Sequence, residues 1–328
     1  KLLKKDLNWK LLVYPELFLG EEYYKGNIEI ENGTIYDFLN LALQNLGRKK
    51  INLYSTVINS LLYGYKFLSK HNFAHASKKN AEMHYNRGED IYDWMLDVEH
   101  RQYSCAIFKD PKETLEQAQT NKLSHIVKKL NLKPGQRVLD IGCGWGGLSR
   151  YIAKKVGCEV HGISLASNQI EYCKKRAREL KLDNLLSYEI CDYREAKGTW
   201  DRIVNIGFFE HVSPKFYKTF FQKIHDLLED NGDSICLTHT IATTNPPGPT
   251  NPFIERYIFN GGKVPSASQI TKAIEKSGLV ISGWESLIDH YNLTLDHWRK
   301  RFLENIGKAK KIYGPNFVRL WDFYLSSC

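Results

Sequence analysis

The chain has 328 residues, 42% hydrophobic and 25% charged, which excludes a disordered or collagen-like protein and fits two domains. It contains no run of 18 or more apolar residues, so no membrane-spanning helix is expected. Residues 1–100 carry equal numbers of acidic and basic side chains, so the whole net charge of +9 falls in residues 101–328 and points to an anionic partner, a nucleic acid or an acidic membrane surface. The start at Lys1, without a Met or a signal-like apolar core, suggests that the sequence begins inside a longer chain. Seven cysteines, with no CxxC pair, argue against a disulfide framework or a structural zinc site. They favour a cytoplasmic protein, and no metal site is expected.

Residues 1–70 read as a small domain. Leu17 to Ile30 suggests short extended pieces broken by Gly20 and Gly26, followed by an Asn32-Gly33 turn. Thr34 is placed to cap a helix to about Leu46, with Ile35, Phe38, Leu39, Ala42, Leu43 and Leu46 on one face. Ile51 to Leu68 reads as a second apolar helix. Such helices suit either a core or a surface that docks on lipid. The polar stretch Lys70–Asn86 reads as a linker, and residues 71–100 as a linker and lid segment. Thr114 to Leu130 reads as a helix with charges on its outer face. From Lys133 onward, strand, Gly-rich turn, helix and strand alternate, the signature of a parallel sheet covered by helices.

The strongest motif is Val138 to Gly147, an apolar strand running into glycines and then into the helix Leu148–Val156. Glycine permits the tight turn and lets a ligand approach the backbone. The Asp140-x-Gly142-x-Gly144 spacing is the form seen in methyltransferases that bind S-adenosylmethionine. The second strand, Glu159–Ile163, ends near Ser164 and Gln169, which can hydrogen-bond a ribose where nucleotide folds often place an acid, while Ser167 is equally readable as a helix N-cap. Asp192 and Tyr193 after the third strand suit an adenine, one through its amine and the other by stacking. A fourth strand, Ile203–Gly207, delivers Glu210 to the carboxyl edge as a candidate acid, base or ion ligand. The fifth, Ser234–Leu237, delivers His239 to the same edge. Tyr103-Ser104-Cys105 stands just ahead of the fold, where it could act as a lid.

Taken together, these residues resemble the cyclopropane-fatty-acid synthase family, which includes the mycolic acid cyclopropane synthases. The likeness rests on His84-Tyr85 with Gly88, Gln102 to Ala106, the Asp140–Gly147 loop, Phe209-Glu210-His211, His239-Thr240-Ile241 and Tyr257-Ile258-Phe259 with Gly261, Gly262, Pro265 and Ser266. Gly20-Glu21-x-Tyr23 with Gly26 is similar to the small lipid-associated domain of the longer bacterial synthases. Asn260 departs from the family's usual Pro, and the family's pattern continues past Cys328 into a final apolar strand.

The resemblance implies a class I S-adenosylmethionine-dependent methyltransferase domain over residues 101–328, Rossmann-like with a mostly parallel sheet. It assigns Tyr103, Ser104, Gly142, Cys143, Gly144, Ser164, Gln169, Tyr193 and Arg194 to the cofactor. It assigns Cys105, Glu210, His239, Ile241 and Tyr291 to a bound bicarbonate, with Cys105 and Ile241 acting through their backbones, and places Cys328 in the active site. The implied reaction brings the cofactor's methyl to a cis double bond of a phospholipid acyl chain and closes a cyclopropane ring. The implied partners are membrane phospholipids with unsaturated acyl chains, not nucleic acid; a homodimer is a candidate assembly, at the inner face of the membrane. A helix from Thr294 to about Lys311 with Arg299, Lys300, Arg301, Lys308, Lys310 and Lys311 suits anionic head groups. Two alternatives stay open: a methyl or methylene branch in place of the ring, and a small-molecule N-methyltransferase of the coclaurine type, which carries a Glu where Gly207 stands.

Overall fold

Alternation along the strand Arg137–Ile141 (β1) sends Val138 to one face of a sheet and Leu139 and Ile141 to the other. A computed structural model describes residues 1–46, 89–259 and 262–328. The expected helix Ile51–Leu68, the linker Lys70–Asn86 and the positions His84, Tyr85, Gly88, Asn260 and Gly261 lie outside the described residues. The described residues divide into two units, and the division does not follow a single cut in the chain. A helical unit comprises residues up to 46 with 248–259 and 292–328; a sheet unit comprises 89–247 and 262–291.

In the sheet unit, β1 is joined by Glu159–Ser164 (β2), Leu186–Ile190 (β3), Arg202–Ile206 (β4) and Ile235–His239 (β5). All pairings are parallel, in the order β3-β2-β1-β4-β5. One face is covered by the helices Leu115–Lys129, Gly147–Val156 and Ser167–Glu179, which contribute Leu123, Ile126, Ile152, Ile170 and Cys173 to the core. The other is covered by Tyr217–Leu227 and Ala267–Glu275, which contribute Phe220, Ile224, Ile270 and Ala273. The chain order reverses between β1 and β4, so the crevice for a ligand opens at the carboxyl ends of those strands. β5 is half-buried along its length and forms one edge of the described sheet.

Within the segment expected as linker and lid, residues 89–95 form a helix, because Ile91, Tyr92 and Met95 bury one face. One expectation for this unit is corrected. Ser167 is the first helical residue rather than the cap; Ala166 holds the cap position and its amide donates to Ser164 Oγ (3.2 Å).

The helical unit contains Leu7–Val13, Pro15–Tyr24, Ile35–Leu46 and Pro252–Tyr257. It also holds the Asn292 onward part of Ile288–Glu304, and Ile306–Ser327. Here too the structure departs from the sequence reading. Pro15–Tyr24 is a helix, although Gly20 interrupts its apolar pattern. The glycine is there for packing: a Cβ at position 20 would collide with the Phe253 ring. Thr34 does cap the third helix through reciprocal bonds with Asp37. Of the apolar face expected there, Ile35 and Leu39 are buried while Phe38 and Leu43 are exposed. The last helix runs to Ser327 across a kink at Gly314-Pro315, and Thr294 sits buried in mid-helix rather than at a start. Glu21, also buried, accepts from Arg256 Nη1 (2.9 Å) and Tyr257 Oη (2.8 Å).

Candidate active site

Three consecutive strand ends build the crevice expected to take the cofactor. Beyond β1, the amides of Gly142 and Cys143 both donate to the carbonyl of Ile163 in β2 (2.8 and 3.1 Å), which turns the chain sharply. Gly144 follows with φ +53°, and a Cβ there would meet nothing within 4 Å, so the turn leaves open room beside its backbone. Asp140 behind the turn is buried and accepts from Ser149 Oγ (2.6 Å); burial pushes its carboxyl up to about 6. At the end of β2, Ser164 Oγ donates to Gln169 Oε1 (3.2 Å), so the two residues expected at a ribose act together. Beyond β3, Arg194 grips both oxygens of Asp192 through Nε (2.8 Å) and Nη2 (2.6 Å). Tyr193 is buried edge-on against Phe208 and Phe220.

The segment before the fold is held by Asp97, whose Oδ2 accepts from the amides of His100 (2.7 Å) and Arg101 (3.2 Å) and whose Oδ1 accepts from that of Gln102 (2.7 Å). Gln119 Nε2 donates to the Ser104 carbonyl (3.0 Å). Beneath this segment lies a residue that the sequence reading missed. Lys122 is 2% exposed, and its Nζ donates to Gln102 Oε1 (2.7 Å) and Ser104 Oγ (2.9 Å). Burial lowers its ammonium to about 8. A signal was present: Leu115, Ala118, Gln119, Lys122, Leu123 and Ile126 share the buried stripe of their helix at spacings of three and four.

Cys105, Lys122, His239, Ile241 and Tyr291 line one cavity of 1540 Å³ in this unit. Glu210, in a 3₁₀ turn after β4, reaches Ile241 on its wall: Oε1 accepts from the Ile241 amide (2.7 Å). Two atoms here are buried with no hydrogen-bond partner, Glu210 Oε2 and His239 Nδ1. Burial pushes the Glu210 carboxyl up to about 7, and burial together with the charge of Lys122 brings the His239 imidazole down to about 4. An acceptor and a ring nitrogen left bare in an apolar wall cost free energy unless a ligand satisfies them. The donor set therefore fits a small polar group. Gly207, close by, has φ +65°, a conformation that disfavours a Glu at that position. Cys328, which belongs to the helical unit, is exposed.

The family model for mycolic acid cyclopropane synthetase matches residues 73–328. The chain belongs to this family. Cyclopropane-fatty-acyl-phospholipid synthase of Escherichia coli (strain K12) is 40% identical over 256 residues, which covers 77% of this chain and 65% of that enzyme. Among solved structures, mycolic acid cyclopropane synthase CmaA1 complexed with SAH and CTAB superposes with a TM-score of 0.72 at 30% identity, over 76% of this chain and 92% of that one. Coclaurine N-methyltransferase, 21% identical, superposes over 94% of this chain and 92% of its own with a TM-score of 0.74, and shows a shared fold alone. The fold is that of the class I S-adenosylmethionine-dependent methyltransferases, and the five-stranded parallel order fits it.

Proposed function

We propose that the chain binds S-adenosylmethionine and uses its methyl group to convert a cis double bond of an unsaturated phospholipid acyl chain into a cyclopropane ring. The E. coli synthase named above and the SAH complex of CmaA1 support the substrate class and the cofactor. The observation that carries the site is the pair of orphaned atoms, Glu210 Oε2 and His239 Nδ1, brought together through Ile241, whose amide binds the Glu210 carboxyl and which lines the same cavity as His239. The open backbone at Gly144, the Ser164–Gln169 pair, Asp192, Tyr193 and Arg194 would hold the cofactor, with Tyr103 and Ser104 closing over it. When bound, the cofactor supplies a strongly electrophilic methyl, which a weakly nucleophilic alkene needs. Transfer of that methyl to one alkene carbon would release S-adenosylhomocysteine, and closing the ring would need a base to take one proton from the new methyl. Bicarbonate, when bound, supplies the base for that proton. Glu210, His239, Tyr291 and the backbone groups of Cys105 and Ile241 would orient it.

Chain and cofactor held side by side would make the reaction effectively unimolecular, which supplies much of the catalysis asked of such a site. The test is mass spectrometry of lipids from cells expressing the full-length protein. The expected result is a gain of one CH2 per unsaturated chain, with chromatography against standards showing a ring rather than a branch. Unaltered lipids would overturn the reading.

A further inference from the structure

Lys122 poses a problem of charge. An ammonium group buried this completely normally needs a carboxylate beside it. Among the described residues no ion pair satisfies it: its hydrogen-bond acceptors, Gln102 Oε1 and Ser104 Oγ, are both neutral. The carboxylate whose charge acts on it is that of Asp97, whose oxygens already accept from three backbone amides. The other lysine on the cavity wall, Lys129, is half-exposed and paired with Glu285 (3.0 Å). Lys122 is therefore a cation held in place by neutral groups on the wall of a cavity that also presents His239, Ile241 and Tyr291, and its charge is felt at His239. Of the two orphaned atoms, His239 Nδ1 belongs to that wall and Glu210 is tied to it through the Ile241 amide, and neither brings positive charge.

We infer that Lys122 supplies the positive charge that holds a small oxyanion against Glu210 and His239, with Gln102 and Ser104 as its supports. The inference rests on the bicarbonate reading above. It makes Lys122 a positioning residue for the base and adds a long-range requirement to that site: Gln102 and Ser104, at the stretch Tyr103–Cys105 expected as a lid, also fix the cation.

The test uses the full-length protein and ¹³C-labelled bicarbonate as the probe, read by line broadening, with cofactor affinity measured in parallel. Lys122→Gln keeps donors for Gln102 and Ser104 but removes the charge. It is expected to weaken bicarbonate binding at least about tenfold while cofactor affinity stays within about threefold, and Lys122→Arg should recover most of the loss. In wild-type protein with ¹⁵N-labelled lysine side chains, the ammonium resonance absent from Lys122→Arg should move as bicarbonate is added. That measurement decides the matter even if Lys122→Gln fails to fold. A resonance indifferent to bicarbonate, or a Lys122→Gln variant that binds it as wild type does, overturns the assignment to Lys122 and leaves the bicarbonate reading standing. A variant that loses the cofactor and keeps bicarbonate overturns it in favour of pairing with the cofactor's carboxylate. Wild type that binds no bicarbonate sinks both.

Discussion

Glu210 concentrates the chemistry of the site at one side chain. Its Oε1 is fixed by the Ile241 amide and its Oε2 makes no hydrogen bond of good geometry, although the Thr240 hydroxyl acts on the carboxyl, so replacement by Gln keeps the shape and the fixed bond but changes what Oε2 offers. Glu210→Gln is expected to bind cofactor normally and to lose about 10²–10³ in rate, the scale of one positioned hydrogen bond in a water-poor site. Equal loss of cofactor affinity would show instead a collapse of the turn. The same residue gives a pH signature. Its carboxyl titrates at about 7 in the fold and near the usual value of about 4.3 when unfolded, so between those values the native state holds the extra proton. Stability should therefore fall as pH rises through that window. Asp140, raised to about 6, acts in the same direction, so the informative quantity is a difference. Urea midpoints measured at pH 5 and pH 8 should drop less for Glu210→Gln than for wild type. Identical drops would mean that Glu210 is not desolvated in solution.

At the scale of elements, the turn at Gly144 and the helix caps decide most. A side chain at φ +53° is strained, and here it would also project into the space left open beside the backbone. Gly144→Val is expected to abolish measurable cofactor binding in a calorimetric titration while the circular dichroism stays native. Unchanged affinity would remove the cofactor site from this turn. Ser266 closes a capping box with Gln269, so Ser266→Ala should cost about 0.5–2 kcal/mol in a denaturation curve. Elements of this kind were legible in the sequence because their signals are local: short apolar runs for β1 and β4, glycines at a turn, Thr34 at a cap. The helix Pro15–Tyr24 was not, since Gly20 reads as a break until Phe253, far along the chain, is seen packed on it. Glu210 and His239 were found because strand ends share an edge. Lys122 was passed over because a lysine in a helix with a charged outer face reads as solvated unless the stripe is counted.

Across the whole molecule, sequence could not show that residues 248–259 and 292–328 cluster with the N-terminal helices, because periodicity carries no information about distant partners. What it did show was the charge, +9 and confined to residues 101–328. The structure now separates the basic side chains expected to meet a membrane. Arg299 is committed to Asp322 (2.7 Å) and does not present a free charge. Lys308, Lys310 and Lys311 are exposed near the start of the last helix, beside the exposed apolar side chains Ile306 and Ile312. No described helix is long and apolar enough to cross a membrane. A short helix end that pairs lysines with exposed isoleucines suits the interface instead, where apolar groups enter the headgroup boundary and cations meet anionic lipid. The protein is therefore expected to bind vesicles rich in anionic phospholipid, and to bind them less as salt rises toward the ionic strength at which screening reaches about 8 Å. Replacing Lys308, Lys310 and Lys311 together by Ala should weaken this binding by about 1 kcal/mol per residue. Sedimentation with vesicles of neutral and of acidic composition checks both statements. Equal binding to the two compositions, or a triple variant that binds acidic vesicles as wild type does, would show that this helix end is a solvated surface and that the charge acts elsewhere.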